Sequence, residues 1–288
     1  MEAVLEQIEE HLKELIIPYL MQCLSEMFNC VNTTVGGIAA DVGQTPSAFS
    51  PSVFSMIKTI SETVIMPIAG IILTFVACYE LVQLIISYNN LANFETWFIF
   101  KWVFKTAIAV ELITHTWDFS MAVFDVAQHV VAGAGGVIGA STAIDASALA
   151  GMQSTIEAMD IMSILGLFIQ IAIVNLFTQL SAEIINIIVI ARMIEIYMYV
   201  SMAPIPFATF GNKEHGSIGI HYVKSLFALG FQGFLIMICV GIYAVLITSV
   251  AFTTDIVGSI WMALGYTLLL GFSLFKTSTV SKAILNAI

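Results

Sequence analysis

Long apolar runs separated by short polar segments dominate this sequence. Runs of about twenty residues recur, each long enough to cross a hydrocarbon layer of ~30 Å at ~1.5 Å per residue. The pattern predicts an all-α, polytopic integral membrane protein with about five transmembrane helices and an N-terminal amphipathic helix. The predicted spans cover residues 63–88, 97–116, 161–203, 222–248 and 256–275.

The N-terminal residues 2–28 have the periodicity of an amphipathic helix. Apolar residues recur every three or four positions, and Glu9, Lys13 and Glu14 lie on the opposite face. Because anionic lipid would repel an acidic face, we expect this helix to lie at an interface or to dock on another protein. Residues 32–52 are rich in turn formers and are expected to form a loop. Residues 1–62 are therefore expected to lie outside a transmembrane domain, 63–288.

The segment 117–160 separates the second and third predicted spans. Its first part, 118–132, is predicted to be an amphipathic helix, and 133–151 is rich in glycine, alanine and serine. We expect the second part to be a surface-seeking or re-entrant segment, or a close subunit contact. Gly135 and Gly139 form a small-xxx-small motif that permits close helix packing.

The run 161–203 is apolar for about forty residues and has two possible interpretations. A hairpin near 179–186 would cross the membrane twice, whereas one long helix would cross once. Single crossing is favoured because seven of the nine Lys and Arg residues then share one side: Lys101, Lys105, Arg192, Lys213, Lys224, Lys276 and Lys282. The positive-inside rule makes that side cytoplasmic, with the N-terminus outside and the C-terminus inside.

Composition and motifs exclude several classes of function. A chain that is 59% hydrophobic with a mean hydropathy of +0.97 lies far outside the soluble range. A net charge of −11 argues against a static nucleic-acid-binding surface. The four cysteines have no metal-ligand spacing, and the sequence contains no G-x-x-x-x-G-K-[ST], H-E-x-x-H or G-x-S-x-G motif. We therefore expect no catalytic residue, no metal, no cofactor and no enzymatic activity.

Polar residues inside the third span are the best candidates for function, because each is costly unless it faces protein or water. A narrow stripe at spacings of 4, 4 and 3 consists of Asn175, Gln179, Glu183 and Asn186. It either forms helix–helix hydrogen bonds or faces a hydrated conduit or a subunit interface.

Charged residues elsewhere in the spans are expected to form ion pairs. Arg192 and Glu195 lie one helical turn apart, so their spacing predicts a pair near the inner face. Glu80 in the first span is an alternative partner for Arg192.

One stretch resembles a known family. Arg192-Met-Ile-Glu195-Ile-Tyr-Met-Tyr-Val-Ser201-Met-Ala203-Pro204-Ile-Pro206-Phe is followed by a polar loop and then by Tyr222-Val-Lys224-Ser-Leu-Phe-Ala-Leu-Gly230. This pattern resembles the signature region of TrbL-type proteins, polytopic inner-membrane components of conjugative type IV secretion systems. The resemblance is closest to the compact versions in mobile elements of Firmicutes. It is strong over about 160–250 and only topological elsewhere.

The resemblance implies a non-enzymatic subunit of a DNA- or protein-translocating complex in the bacterial cytoplasmic membrane. Such subunits form a homo-oligomer around the conduit and contact other membrane subunits and a separate ATPase. The shared structural positions fall on Ala203, Pro204, Gly211 and Lys224, and Pro206 also ends the long helix.

A small-solute secondary transporter is the alternative function. That class has a polar pocket at mid-membrane and helices broken at equivalent places in two repeats. Pro67 and Gly70 interrupt the first span, but the sequence has no equivalent interruption in a second half.

Overall fold

The computed structural model describes residues 2–87, 96–138, 146–210, 212, 214–250 and 255–287. The described part is helical and contains no strand. In chain order the helices are α1 (Glu2–Val42), α2 (Pro46–Phe49), α3 (Pro51–Ile60), a π-helical turn (Ser61–Ile65), α4 (Met66–Ser87), α5 (Thr96–Thr114), α6 (Thr116–Ile138), α7 (Ala146–Glu157), α8 (Ile161–Ser201), α9 (Pro204–Ala208), α10 (Gly216–Thr248) and α11 (Ile256–Ile284). The all-α, polytopic fold class is confirmed.

Four helical runs in the described part are long and apolar enough to cross a membrane. They cover Pro51–Ile86, Ile161–Ala208, Gly216–Thr248 and Ile256–Ile284. Three of them contain a predicted span, and Pro51–Ile86 contains all but the last two residues of the predicted span 63–88. The remaining predicted span, 97–116, forms α5, which has 19 residues but also carries Lys101, Lys105 and Glu111.

Helix α1 is longer than predicted, and the loop predicted over 32–52 is wrong. The helix continues through Asn32, Gly36 and Gly37 to Val42, and α2 and α3 begin within the next nine residues. A buried stripe explains this continuation, because Leu24, Val31, Val35, Ile38 and Val42 follow helical spacing. Packing of this stripe outweighs the local turn preference of the Asn, Thr and Gly residues between its members.

Helix α8 is uninterrupted from Ile161 to Ser201, so the hairpin alternative near 179–186 is excluded. Asp160 caps its start, because its carboxylate accepts hydrogen bonds from the backbone N–H of Ser163 at 3.1 Å and from the Ser163 hydroxyl at 2.6 Å. These hydrogen bonds lower the pKa of Asp160. The cap is therefore present at neutral pH and is lost as pH falls through the lowered value.

The chain divides into two compact units. The first unit comprises Met1–Val42, Gly133–Ile190 and Leu235–Thr277, and the second comprises Gly43–Ala132, Ala191–Phe234 and Ser278–Ile288. Helices α6, α8, α10 and α11 contribute residues to both.

In the first unit, α1 and α8 lie side by side and run parallel. The rings of Tyr19 and Phe168 are 5.9 Å apart, and further along both helices Val35 and Ala182 line one cavity. Helix α11 joins them through Trp261, whose indole N–H donates to the Gln170 side chain at 3.3 Å.

In the second unit, α4 and α5 form an antiparallel pair. The first half of α4 and the last half of α5 share one apolar cluster that includes Ala69 and Ala109. The indole N–H of Trp102 donates to the Ala77 carbonyl at 3.1 Å, and Lys105 forms an ion pair with Glu80. This ion pair neutralises the charges of Lys105 and Glu80 where the two helices meet.

Helix α9 and the residues after it advance in the same direction as α4. Ala203 and Phe207 pack in the cluster of Ala69, and further on Glu214 accepts hydrogen bonds from Tyr79 at 2.9 Å and Gln83 at 2.8 Å. Gln83 and Tyr79 lower the pKa of Glu214, so its carboxylate stays ionised at neutral pH. Helix α9 and the described residues up to Glu214 are therefore parallel to α4.

We expect removal of one partner of the Glu80–Lys105 pair to destabilise the second unit. Glu80→Gln leaves an ammonium, and Lys105→Met leaves a carboxylate, without its counter-charge in an apolar cluster. Since both side chains are partly exposed, the loss should lie between the ~1 kcal/mol of exposed pairs and the ~3 kcal/mol of buried ones. The thermal unfolding midpoint of the detergent-purified protein measures it.

The double variant E80Q/K105M should recover most of this loss, because neither charge remains. Lys101→Met, an exposed lysine on the same helix, is the matched control and should change little. A double variant no more stable than either single variant would contradict the assignment.

Candidate functional site

The predicted polar stripe lies on the surface of the first unit. Asn175 is buried, whereas Gln179, Glu183 and Asn186 are exposed. The Gln179 amide donates to the Asn175 side chain at 3.3 Å, so the buried end of the stripe is linked to the exposed part along the helix. The four residues lie on one flank of α8, as their spacing predicts.

The adjoining face of α8 is exposed and apolar. Leu180, Ile184 and Ile187 are 52%, 47% and 62% exposed. Exposed isoleucine and leucine side chains at this density suit lipid tails, whereas Gln179, Glu183 and Asn186 do not. The exposed surface of α8 in the first unit therefore has two chemically distinct faces.

A small internal cavity lies close to the stripe. Its lining includes Thr34, Thr178, Tyr243 and Thr267, and its volume is about 10 Å³. The Thr267 hydroxyl donates to the Ala263 carbonyl at 2.9 Å, so at the 3.1 Å contact the Tyr243 hydroxyl is the donor to Thr267. A cavity of this size holds about one water molecule, so it is not a passage.

Arg192 does not form either of the predicted ion pairs. Its side chain is buried, with 6% exposure, and one guanidinium nitrogen donates to the Leu229 carbonyl at 3.5 Å. Its Nε has no hydrogen-bond partner. Glu195 pairs instead with Lys282 at 2.8 Å, and Glu80 pairs with Lys105.

The end of α11 is held by contacts that the sequence analysis missed. The Lys282 ammonium lies 5.7 Å from the centre of the Tyr199 ring and also forms the ion pair with Glu195. The Ser281 hydroxyl donates to the Ala228 carbonyl at 2.6 Å. These residues are 53 or more positions away from their partners, so no local spacing signals the contacts.

The remaining predicted assembly residues have different surroundings. Pro204 starts α9 and Pro206 lies within it, and the turn Met202–Ala203 separates α9 from the end of α8 at Ser201. Lys224 is half-buried in the first turns of α10. A side chain at Gly135 would approach Met237 to 3.6 Å, which is ordinary packing. Gly139 and Gly211 lie outside the described residues.

Within the described ranges, no group of three His, Cys, Asp or Glu side chains could hold a metal ion. The four cysteines are free. The polar and charged groups of the site lie exposed on a helix surface or form ion pairs between helices.

These features define a polytopic α-helical membrane protein. Some of its polar side chains join helices, and others lie exposed on one helix. A family model described as TrbL/VirB6 plasmid conjugal transfer like protein matches residues 31–204. The chain belongs to this family, and it is a multi-pass membrane protein of the conjugal transfer, type IV secretion class. No curated protein and no solved structure matches the chain.

The match overlaps only the first part of the stretch that carries the sequence resemblance, 160–250. It includes α1 from Val31 onward and the hairpin α4–α5, and it ends at Pro204. It therefore contains the stripe of α8, Arg192 and Glu195. Lys224 and the polar loop after Phe207 lie beyond the match.

We expect Glu195→Gln to destabilise the protein more than Lys282→Gln does. Removal of Glu195 leaves Lys282 without its partner and leaves the buried Arg192 without the carboxylate one helical turn away, whereas without Lys282 the Glu195 side chain is free to turn toward Arg192. Loss of a buried counter-charge costs about 3–5 kcal/mol, against ~1 kcal/mol for a partly exposed lysine. Thermal unfolding midpoints of the detergent-purified variants test this order.

Lys276→Gln, an exposed lysine on the same helix as Lys282, is the matched control. Equal losses for Glu195→Gln and Lys282→Gln would show that Arg192 does not depend on Glu195.

Proposed function

We propose that the chain is a channel or scaffold subunit of a conjugative type IV secretion complex. It forms a homo-oligomeric part of the membrane conduit through which DNA or protein is transferred. The observation that carries this proposal is the family match over 31–204, which contains the whole of the exposed polar stripe.

The stripe supports assembly into an oligomer. Gln179, Glu183 and Asn186 lie on a helix that is long and apolar enough to span, and each is costly against lipid. In an isolated chain these side chains would face lipid, whereas an oligomer places them at a subunit contact or against water. The tight second-unit contacts of Arg192, Glu195 and Pro204 suit a rigid element on which such an assembly is built.

Other subunits of the complex supply what this sequence lacks. Without a phosphate-binding loop, the chain depends on a separate ATPase for energy. The first turns of α1 present Ile8, Leu12 and Leu15 to the outside at 52%, 41% and 62% exposure. We propose this acidic, amphipathic end as the docking helix for another membrane subunit.

We propose five crossings, with the N-terminus outside and the C-terminus in the cytoplasm. The parallel packing of α9 on α4 supports an odd number of crossings between Pro51–Ile86 and the run that ends with α9. Helix α5, antiparallel to α4, supplies one, and its Lys105 is neutralised by Glu80. Five crossings put Lys101, Lys105, Lys213 and the C-terminal lysines on one side, in agreement with the positive-inside rule.

A small-solute transporter is less well supported. The cavity near the α8 stripe and a second one beside the Glu80–Lys105 pair each have a volume of about 10 Å³, below that of any organic solute. Neither offers a binding pocket of the few hundred Å³ that small ligands occupy.

In-frame deletion of the gene should abolish transfer of the mobile element that carries it, and the intact gene supplied in trans should restore transfer. The measurement is the frequency of recipients that acquire the element, with donor growth as the control for general membrane damage. Unchanged transfer would refute the proposed function and favour a search for a transported solute.

Cysteine labelling in a cysteine-free variant tests the orientation. We expect Lys213→Cys to react with a membrane-impermeant thiol reagent only after the cells are opened. Thr253→Cys, between α10 and α11, should react in intact cells. The reverse pattern, or labelling of both positions in intact cells, would refute five crossings with the N-terminus outside.

A further inference from the structure

Helix α1 carries a second polar stripe, which the sequence analysis did not identify. Gln22, Glu26, Asn29 and Thr33 are exposed and follow helical spacing on the side opposite the buried stripe of α1. The Gln22 amide donates to the Glu26 carboxylate at 3.0 Å, so the stripe is hydrogen-bonded along the helix, as the stripe of α8 is.

The exposed surface of α1 between Leu20 and Val42 is unsuited to lipid. Between Leu20 and Val42, a range that the structure describes throughout, no large apolar side chain is exposed. The neighbouring α8 presents Ile173, Leu176, Leu180 and Ile187 over the corresponding turns. Two adjacent helices of the same unit therefore have outer faces of opposite character.

The two polar stripes are neighbours. Helices α1 and α8 run parallel, and Thr34 and Val35 meet Thr178 and Ala182 at the cavity between them. Phe168 lies two turns before Asn175 on the same flank of α8 as the stripe, and its ring centre is 5.9 Å from that of Tyr19 on α1. The flank of α8 that carries Glu183 therefore borders α1.

We infer that the stripe of α1 and the stripe of α8 together form one wall of a hydrated passage, a step that rests on the proposed conduit function. Amides and carboxylates lose several kcal/mol when moved from water into hydrocarbon, and among the described residues no lysine or arginine forms an ion pair with Glu26 or Glu183. Glu26 and Glu183 are the charged groups of the two stripes, so the same face of a second copy would bring like charges together. Water is the occupant that satisfies both constraints.

The chemistry of this wall suits a polymer that must move. Glu26 and Glu183 are its charged groups, and the amides and the Thr33 hydroxyl hydrogen-bond with water. Neither α1 beyond Lys13 nor α8 before Arg192 carries a lysine or arginine. Phosphate groups of a nucleic acid would therefore find no fixed cation to bind, and transit would not be slowed by ion pairing.

Cysteine accessibility in the assembled complex tests this inference. In a cysteine-free, transfer-competent chain, single cysteines replace Gln22 and Asn29 on α1 and Gln179 and Asn186 on α8. The matched controls are Leu180→Cys and Ile187→Cys, which are as exposed but lie on the apolar face. We expect the four polar positions to react with a charged methanethiosulfonate reagent at least about tenfold faster than the controls, because a thiol ionises only in water. Modification with a bulky reagent should also lower transfer frequency at the polar positions only.

Three outcomes overturn the inference. Labelling of α8 without α1 leaves the proposed function standing but removes α1 from the wall. Slow labelling at all four positions, with disulfide cross-linking between copies, assigns the surface to a subunit interface. Equal labelling of the controls shows that the surface is not bordered by lipid. Failure of the conduit function itself would instead appear as unchanged transfer after gene deletion.

Discussion

The cost of placing polar and charged groups in hydrocarbon is the constraint on which this structure depends. Backbone groups meet it by forming helices, and α8 does so over 41 residues, about 60 Å. Side chains meet it in the second unit by pairing: Lys105 with Glu80, Lys282 with Glu195, and Arg192 with a backbone carbonyl. Each contact joins two helices, so the charges that would oppose insertion also fix which helices are neighbours.

The first unit meets the same constraint differently. Its polar side chains on α1 and α8 are exposed and hydrogen-bond mainly to neighbours on their own helix, as Gln22 does with Glu26 and Gln179 with Asn175. Such groups still require water or another subunit, since each keeps unused hydrogen-bonding capacity. The first unit thus leaves polar stripes exposed, whereas the second pairs Glu80 and Glu195 with lysines. The proposed assembly within a conjugal transfer complex would give these stripes water or a neighbouring subunit as a partner.

Patterns confined to one helix were predictable from the sequence, whereas contacts between distant segments were not. The absence of a turn signal between 161 and 201, together with the distribution of lysines, predicted one long helix, and α8 has that form. The prediction of a loop over 32–52 was wrong for 32–42. Gly36 and Gly37 favour a turn only locally, whereas packing of Val35 and Ile38 keeps the chain helical. The prediction of an Arg192–Glu195 pair was wrong for a related reason. The spacing of residues on one helix cannot reveal that Lys282, 87 residues later, pairs with Glu195.

Charge is unequally divided between the two units, and this bears on orientation. The first unit has twelve acidic and two basic residues, and the second has eight and seven. In the second unit the carboxylates of Glu80 and Glu195 have cationic partners, so they can lie at depth. Among the described carboxylates of the first unit, Glu26 and Glu183 belong to no ion pair, so they require water or another subunit. Lysine and arginine are retained on the cytoplasmic side, whereas acidic residues have little influence on topology. The proposed orientation therefore depends on the positions of the lysine and arginine residues and not on those of the carboxylates.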